Sequence, residues 1–140
     1  MANNYFQYKS GLGSVGAYQA SSRPFLSSSI AVWGSDFGNP VVKISFPTVT
    51  KFVTVKNVAD TTGSMVKMRV AFSENGLSDG GTNYFVLENE ESYSADWRVS
   101  ALYLRVESGA INTTASIMAG ETGISSEELP HNWTGSVGVG

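Results

Sequence analysis

From Phe25 onward the apolar side chains recur at every second residue, which places them on one face of an extended strand and the intervening polar residues on the other. In Val41-Val42-Lys43-Ile44-Ser45-Phe46, the side chains of Val42, Ile44 and Phe46 share a face opposite Lys43 and Ser45, and Pro47 ends the run. Residues 51–58 set Val53 and Val55 against Phe52, Thr54 and Lys56. Residues 65–72 set Val66, Met68, Val70 and Phe72 against Lys67, Arg69 and Ala71. Further strands are predicted over 29–33, 84–87, 92–97, 99–106 (Leu102, Leu104 and Val106 in phase) and 110–119 (Ile111, Thr113, Ala115 and Ile117 in phase). Asp60-Thr61-Thr62-Gly63 predicts a hairpin connection, residues 87–92 a hairpin tip, and Glu74-Asn75-Gly76 with Asp79-Gly80-Gly81 a longer loop; Ser108-Gly109 joins the last two strands. About eight short strands at even spacing predict an all-β domain, an antiparallel β-sandwich or jelly roll, with a small barrel as the other closure.

The period is missing at both ends. Residues 1–23 combine Tyr5, Phe6, Tyr8 and Tyr18 with Gly11, Gly13 and Gly16, and they predict an extended arm that cannot fold alone but can lie along a neighbour. A solvated Gly/Ser linker has no need of those rings. The β-domain is expected over 24–120, followed by a C-terminal tail over 121–140. Within the tail, Ser125-Ser126-Glu127-Glu128 predicts a single serine-capped turn that Pro130 stops, and Trp133 is an aromatic anchor.

Composition narrows what such a domain does. The chain has 140 residues, enough for one core, and only 15% of them are charged, so its polar surface falls on Ser, Thr, Asn and Gly. Its formal charge is −3, and the nine basic residues are dispersed, which leaves no concentrated footprint for nucleic acid. A basic face would have to be assembled from Lys43, Lys67 and Arg69. Absence of cysteine excludes disulfides, thiolate metal sites and a cysteine nucleophile. The first residues lack a secretory pattern and no apolar run matches a membrane span, so the expectation is a product made in the cytoplasm, with no membrane partner and no meaning for the sequons at Asn112 and Asn132.

The candidate chemistry is sparse. A metal-dependent β-barrel enzyme needs several histidines, and His131 is the only one; a Ser-His-Asp triad would need the same residue without a nucleophile elbow. The carboxylates Glu88, Glu90, Glu91 and Asp96 are the remaining acid/base candidates, read as solvated groups at a turn. Residues 74–81 carry oxygen ligands without calcium-loop spacing and are read as a turn. The expectation is therefore no enzyme, no catalytic residue, no metal and no cofactor. Trp33, Tyr93, Trp97 and Tyr103 offer a stacking platform for a glycan, the alternative function from a different class.

Residues 11–25, reading Gly-Leu-Gly-Ser-Val-Gly-Ala-Tyr-Gln-Ala-Ser-Ser-Arg-Pro-Phe, with Ser27-Ser28-Ser29-Ile30 after them, resemble the opening of small virion structural proteins of tailed bacteriophages, those of cyanobacterial phages in particular. The resemblance continues through Phe46-Pro47-x-Val49-Thr50-Lys51, Thr54-Val55-Lys56-Asn57, Glu121-x-Gly123-Ile124 and Trp133-Thr134-Gly135. Ala20-Ser21-Ser22 departs from the Val-Ser-Gly-like sequence expected at that point. The resemblance implies a capsid decoration or cement protein, or else a head-tail connector or tail component, located in the virion. Its implied partners are the major capsid protein or other virion proteins and further copies of itself, a trimer among the candidate homo-oligomers. Tyr18, Arg23, Phe25 and Trp133 are the expected contact residues.

Overall fold

The computed structural model describes residues 23–32, 41–58, 66–77, 83–107 and 113–128. They form eight strands: β1 (Arg23–Val32), β2 (Val42–Ser45), β3 (Thr48–Val58), β4 (Met68–Ala71), β5 (Tyr84–Leu87), β6 (Ser92–Ala95), β7 (Ala101–Val106) and β8 (Thr113–Ser125). One sheet has the order β1-β8-β3-β6 and the other β2-β7-β4-β5, with antiparallel pairing throughout. The pairs β1·β8, β2·β7, β3·β6 and β4·β5 are those of one long antiparallel ribbon folded over on itself, the double-sheet jelly-roll arrangement.

The inward faces interdigitate as the period of two requires. Val32, Val53, Val55, Ala115, Ile117 and Ala119 from the first sheet meet Ile44, Met68, Val70, Leu87, Leu102 and Leu104 from the second in one core. Bulges interrupt the alternation at two places, leaving two successive residues exposed in β1 and two successive residues buried in β3. In β1, Ser28 and Ser29 together oppose Ser116, between the pairs Ser27·Ile117 and Ile30·Ala115, and Ser29 takes a left-handed φ of 60°. At the head of β3 the register against β8 shifts twice, and Val49 and Thr50 are both buried. Thr50 Oγ1 donates to the Trp97 carbonyl at 2.6 Å and accepts the Val99 N–H at 3.1 Å, fixing the segment that carries the chain from β6 to β7.

Several expectations change. β3 and β4 lie in different sheets, so the segment containing Asp60 to Gly63 bridges sheets and closes no hairpin; its own residues lie outside those described. β5 and β6 are likewise in different sheets, and the expected tip between them is a turn closed by Glu91 N–H donating to the Glu88 carbonyl at 3.0 Å, with Glu90 at φ 65°. Among the described strands only β4 and β5 are sequential neighbours that pair. Strand β8 runs five residues past Gly120, so the tail starts later than the pattern of apolar residues predicted; the capped turn then follows at Ser126–Glu128, Ser125 Oγ accepting the Glu127 N–H at 3.3 Å. Residues 74–77, expected as loop, form a helical turn α1 (Glu74–Leu77) in which Ser73 Oγ caps the Gly76 N–H at 3.1 Å. Its Leu77 is fully buried with Ala71, Ala101 and Tyr103 on the outer face of the second sheet. That lid explains why β7 is buried on both faces.

Candidate interaction surface

The outer face of the first sheet is built from the residues that alternate with the core. Cross-strand register sets Leu26 of β1 beside Met118 of β8, Met118 beside Thr54 of β3, and Thr54 beside Ser94 of β6. The next row carries Ser116, Lys56 and Ser92. Leu26 is 68% exposed and Met118 43%, and with Tyr93 they are the exposed large hydrophobic side chains among the described residues. The two lie side by side because Phe25 and Ser27, Ile117 and Ala119 have taken the inward phase, which forces Leu26 and Met118 outward.

Together with Ser28, Thr54, Lys56 and Ser116, Leu26 and Met118 line an open groove of about 400 Å³. Lys56 is the one charged side chain among the described residues lining it. Thr54 Oγ1 donates to Ser94 Oγ at 2.7 Å, so part of the polar rim is already satisfied internally. β1 bounds the groove, and it is an edge strand of ten residues, whereas the other edges β2, β5 and β6 have four each. No charged residue occurs from Pro24 to Val32; among the described residues, Pro24 and the Ser28-Ser29 bulge are the devices that blunt this edge.

Of the expected contact residues, Arg23 and Phe25 are described. Arg23 opens β1, 63% exposed, and its Nε donates to Glu121 Oε2 at 3.2 Å. Glu121 is almost fully buried, and its Oε1 also accepts the Thr48 N–H at 3.3 Å, so the pair fastens the head of β1 to β8 and β3. Phe25 is half-buried and packs edge-on against Phe46 at the margin of the core, centroids 5.0 Å apart. Tyr18 and Trp133 lie outside the described residues, as do Trp33 and His131.

The aromatic platform is divided. Tyr93 and Trp97 are 5.5 Å apart with planes tilted by 30°, and they cluster with Phe85 and Phe72 where the edges β5 and β6 meet. Tyr103 is on the outer face of the other sheet, buried beneath α1, with Lys43 Nζ 5.8 Å from its ring. The acidic residues of the β5–β6 turn serve local structure: Glu88 pairs with Lys67 at 3.4 Å and Glu91 Oε2 accepts the Glu88 N–H at 2.7 Å. Each of Lys43, Lys67 and Arg69 has a local partner: Lys67 pairs with Glu88, Arg69 lies over the Tyr84 ring at 4.2 Å, and Lys43 lies over Tyr103. Among the described residues no group of three or more His, Cys, Asp or Glu is placed to hold a metal ion, and no helix is long and apolar enough to cross a membrane.

Leu26 and Met118 were not singled out by the period of two. Their signal in the sequence is an apolar residue out of phase, Leu26 directly after Phe25 and Met118 between Ile117 and Ala119. Comparison of the chain with protein-family models, with curated proteins and with solved structures gives no match.

Proposed function

We propose that this chain is a non-enzymatic structural protein of a phage virion that binds the major capsid protein as a decoration or cement protein, using its terminal segments and the outer face of the first sheet. The observation that carries the proposal is the exposed Leu26·Met118 pair in a groove where Lys56 is the one charge among the described lining residues, at the root of the N-terminal segment. Contact proteins need an apolar centre with a polar rim and no cofactor, and that face has such a make-up. The resemblance in residues 11–30 supplies the virion as the setting. Repeated attachment on a symmetric particle lets individually weak contacts add up. Purified protein mixed with particles stripped of it is expected to rebind, and deletion of residues 1–22 or Leu26→Asp is expected to weaken rebinding at least ~10-fold, the effect of losing a buried apolar anchor. Full rebinding by both variants would remove this surface and the N-terminal segment from attachment.

A second reading is favoured by one feature, the half-exposed Tyr93 ring beside Trp97. It makes the chain a carbohydrate-binding module that stacks a sugar on Tyr93. A glycan array showing binding that Tyr93→Ala abolishes would support it, and a blank array at high protein concentration would discard it.

A further inference from the structure

We infer that the groove on the first sheet, with the edge strand β1, is the seat of the N-terminal segment of a second copy of this chain, so that neighbouring copies assemble by exchanging residues 1–22. This rests on the proposed reading of that face and the terminal segments as binding elements and refines it: the groove and the N-terminal segment join copies to one another, and the particle is held by the joined copies, so that Leu26→Asp weakens rebinding through lost avidity. Three observations converge. First, the seat offers both halves of a strand-docking site: a ten-residue edge with no partner strand among the described residues and, beside it, the apolar Leu26·Met118 floor for alternate side chains. Secondly, the occupant matches in character. Residues 1–22 include Tyr5, Phe6, Tyr8, Leu12, Val15 and Tyr18 but only one charged side chain, Lys9, and the groove likewise has only Lys56. Neither surface brings a carboxylate that burial would strand.

The third observation is where the segment leaves the domain. It joins β1 at Arg23, three residues before Leu26, and Arg23 is held in extended backbone by Pro24 and by its ion pair with Glu121. Leu26 lies only three residues inside that start, so a segment reaching its own groove would have to reverse direction at once, whereas a neighbour's groove asks for no such reversal. Twenty-two residues preceding Arg23 span up to roughly 70 Å when extended, several times the width of one sheet. Exchange of this kind is reciprocal in a closed oligomer, and each copy both donates and receives a segment.

Because the chain has no cysteine, introduced thiols report proximity without background. One population would carry Tyr8→Cys, Leu12→Cys or Tyr18→Cys and another Met118→Cys; after mixing and mild oxidation, at least one combination is expected to give a disulfide-linked pair of copies. Light scattering of the unmodified full chain is expected to give a multiple of the monomer mass. Leu26→Asp, at an exposed position, is expected to shift that mass toward the monomer with an unchanged melting temperature. A link formed only within single chains carrying both cysteines would overturn the inference in favour of the copy's own segment. A monomer mass with no link, or an undiminished oligomer in Leu26→Asp, would overturn it outright. These measurements use no particles, so they fail or succeed independently of capsid binding.

Discussion

Asn57 continues the inward phase of Val53 and Val55 on β3, and it is a fully buried amide in an otherwise apolar run. Its Nδ2 donates to the Val66 carbonyl at 2.7 Å and lies 3.2 Å from the carbonyls of Leu87 and Glu88, while Oδ1 accepts the Thr113 hydroxyl at 2.7 Å. One side chain thereby ties β3 and β8 of the first sheet to the ends of β4 and β5 in the second. Asn57→Leu would strand those buried groups, and a loss of about 2–4 kcal/mol in urea unfolding is expected; a change under about 0.5 kcal/mol would refute the role. Thr113→Val should cost about 1 kcal/mol, and less in an Asn57→Leu background because the two residues share one bond. The alternation in residues 51–58 already put position 57 on the inner face, but periodicity carries no information about which carbonyls converge there. Those acceptors come from residues 66, 87 and 88, distant in sequence.

At the scale of elements, the strands were readable and their partners were not. Alternation reports which face is buried, and it located Val42, Ile44, Val66, Met68 and Val70 correctly because each contacts only one layer. It misjudged β7, whose second face is covered by a four-residue helix anchored by Leu77 and by Arg105 Nη1 donating to the Leu77 carbonyl at 2.8 Å. Gly76 is what permits that cover: a Cβ there would sit 2.8 Å from the Asn83 carbonyl oxygen and 3.2 Å from Asn83 Cβ. Gly76→Ala is accordingly expected to lower stability by about 1–3 kcal/mol, the range for forcing an atom into a packed site, and melting curves that coincide with the unsubstituted protein would show that the turn yields freely. The head of β1 depends on the Arg23·Glu121 pair. Since Arg23 is largely exposed, Arg23→Ala should change global stability by no more than about 1 kcal/mol, yet hydrogen exchange at the head of β1 should accelerate selectively. Uniform exchange across β1 and β8 in the variant would mean that the pair does not hold the strand.

On the scale of the whole molecule, the fold explains why one of its edges stands out. A jelly roll leaves four edges, and here three are short while β1 is long, without charge past Arg23 and bordered by apolar side chains. Such an edge pairs promiscuously unless something occupies it, which makes an intended occupant the economical account of its survival in a chain with a net charge of only −3. The sequence disclosed the ends as candidates through their rings, but not the receiving surface, since Leu26 and Met118 become neighbours only when β1 and β8 pair across more than ninety intervening residues. The make-up of that surface also dictates how assembly should respond to solvent. With Lys56 the one charge among the described lining residues and Lys9 the only charged side chain of residues 1–22, ion pairing has almost no part in the contact. At about 1 M NaCl, where charges are screened beyond ~3 Å, the oligomer mass measured by light scattering should therefore be unchanged or raised. Dissociation under those conditions would point to an interface built from the dispersed charges of the second sheet, with Lys43 and the rim of the β5–β6 turn as the first places to look.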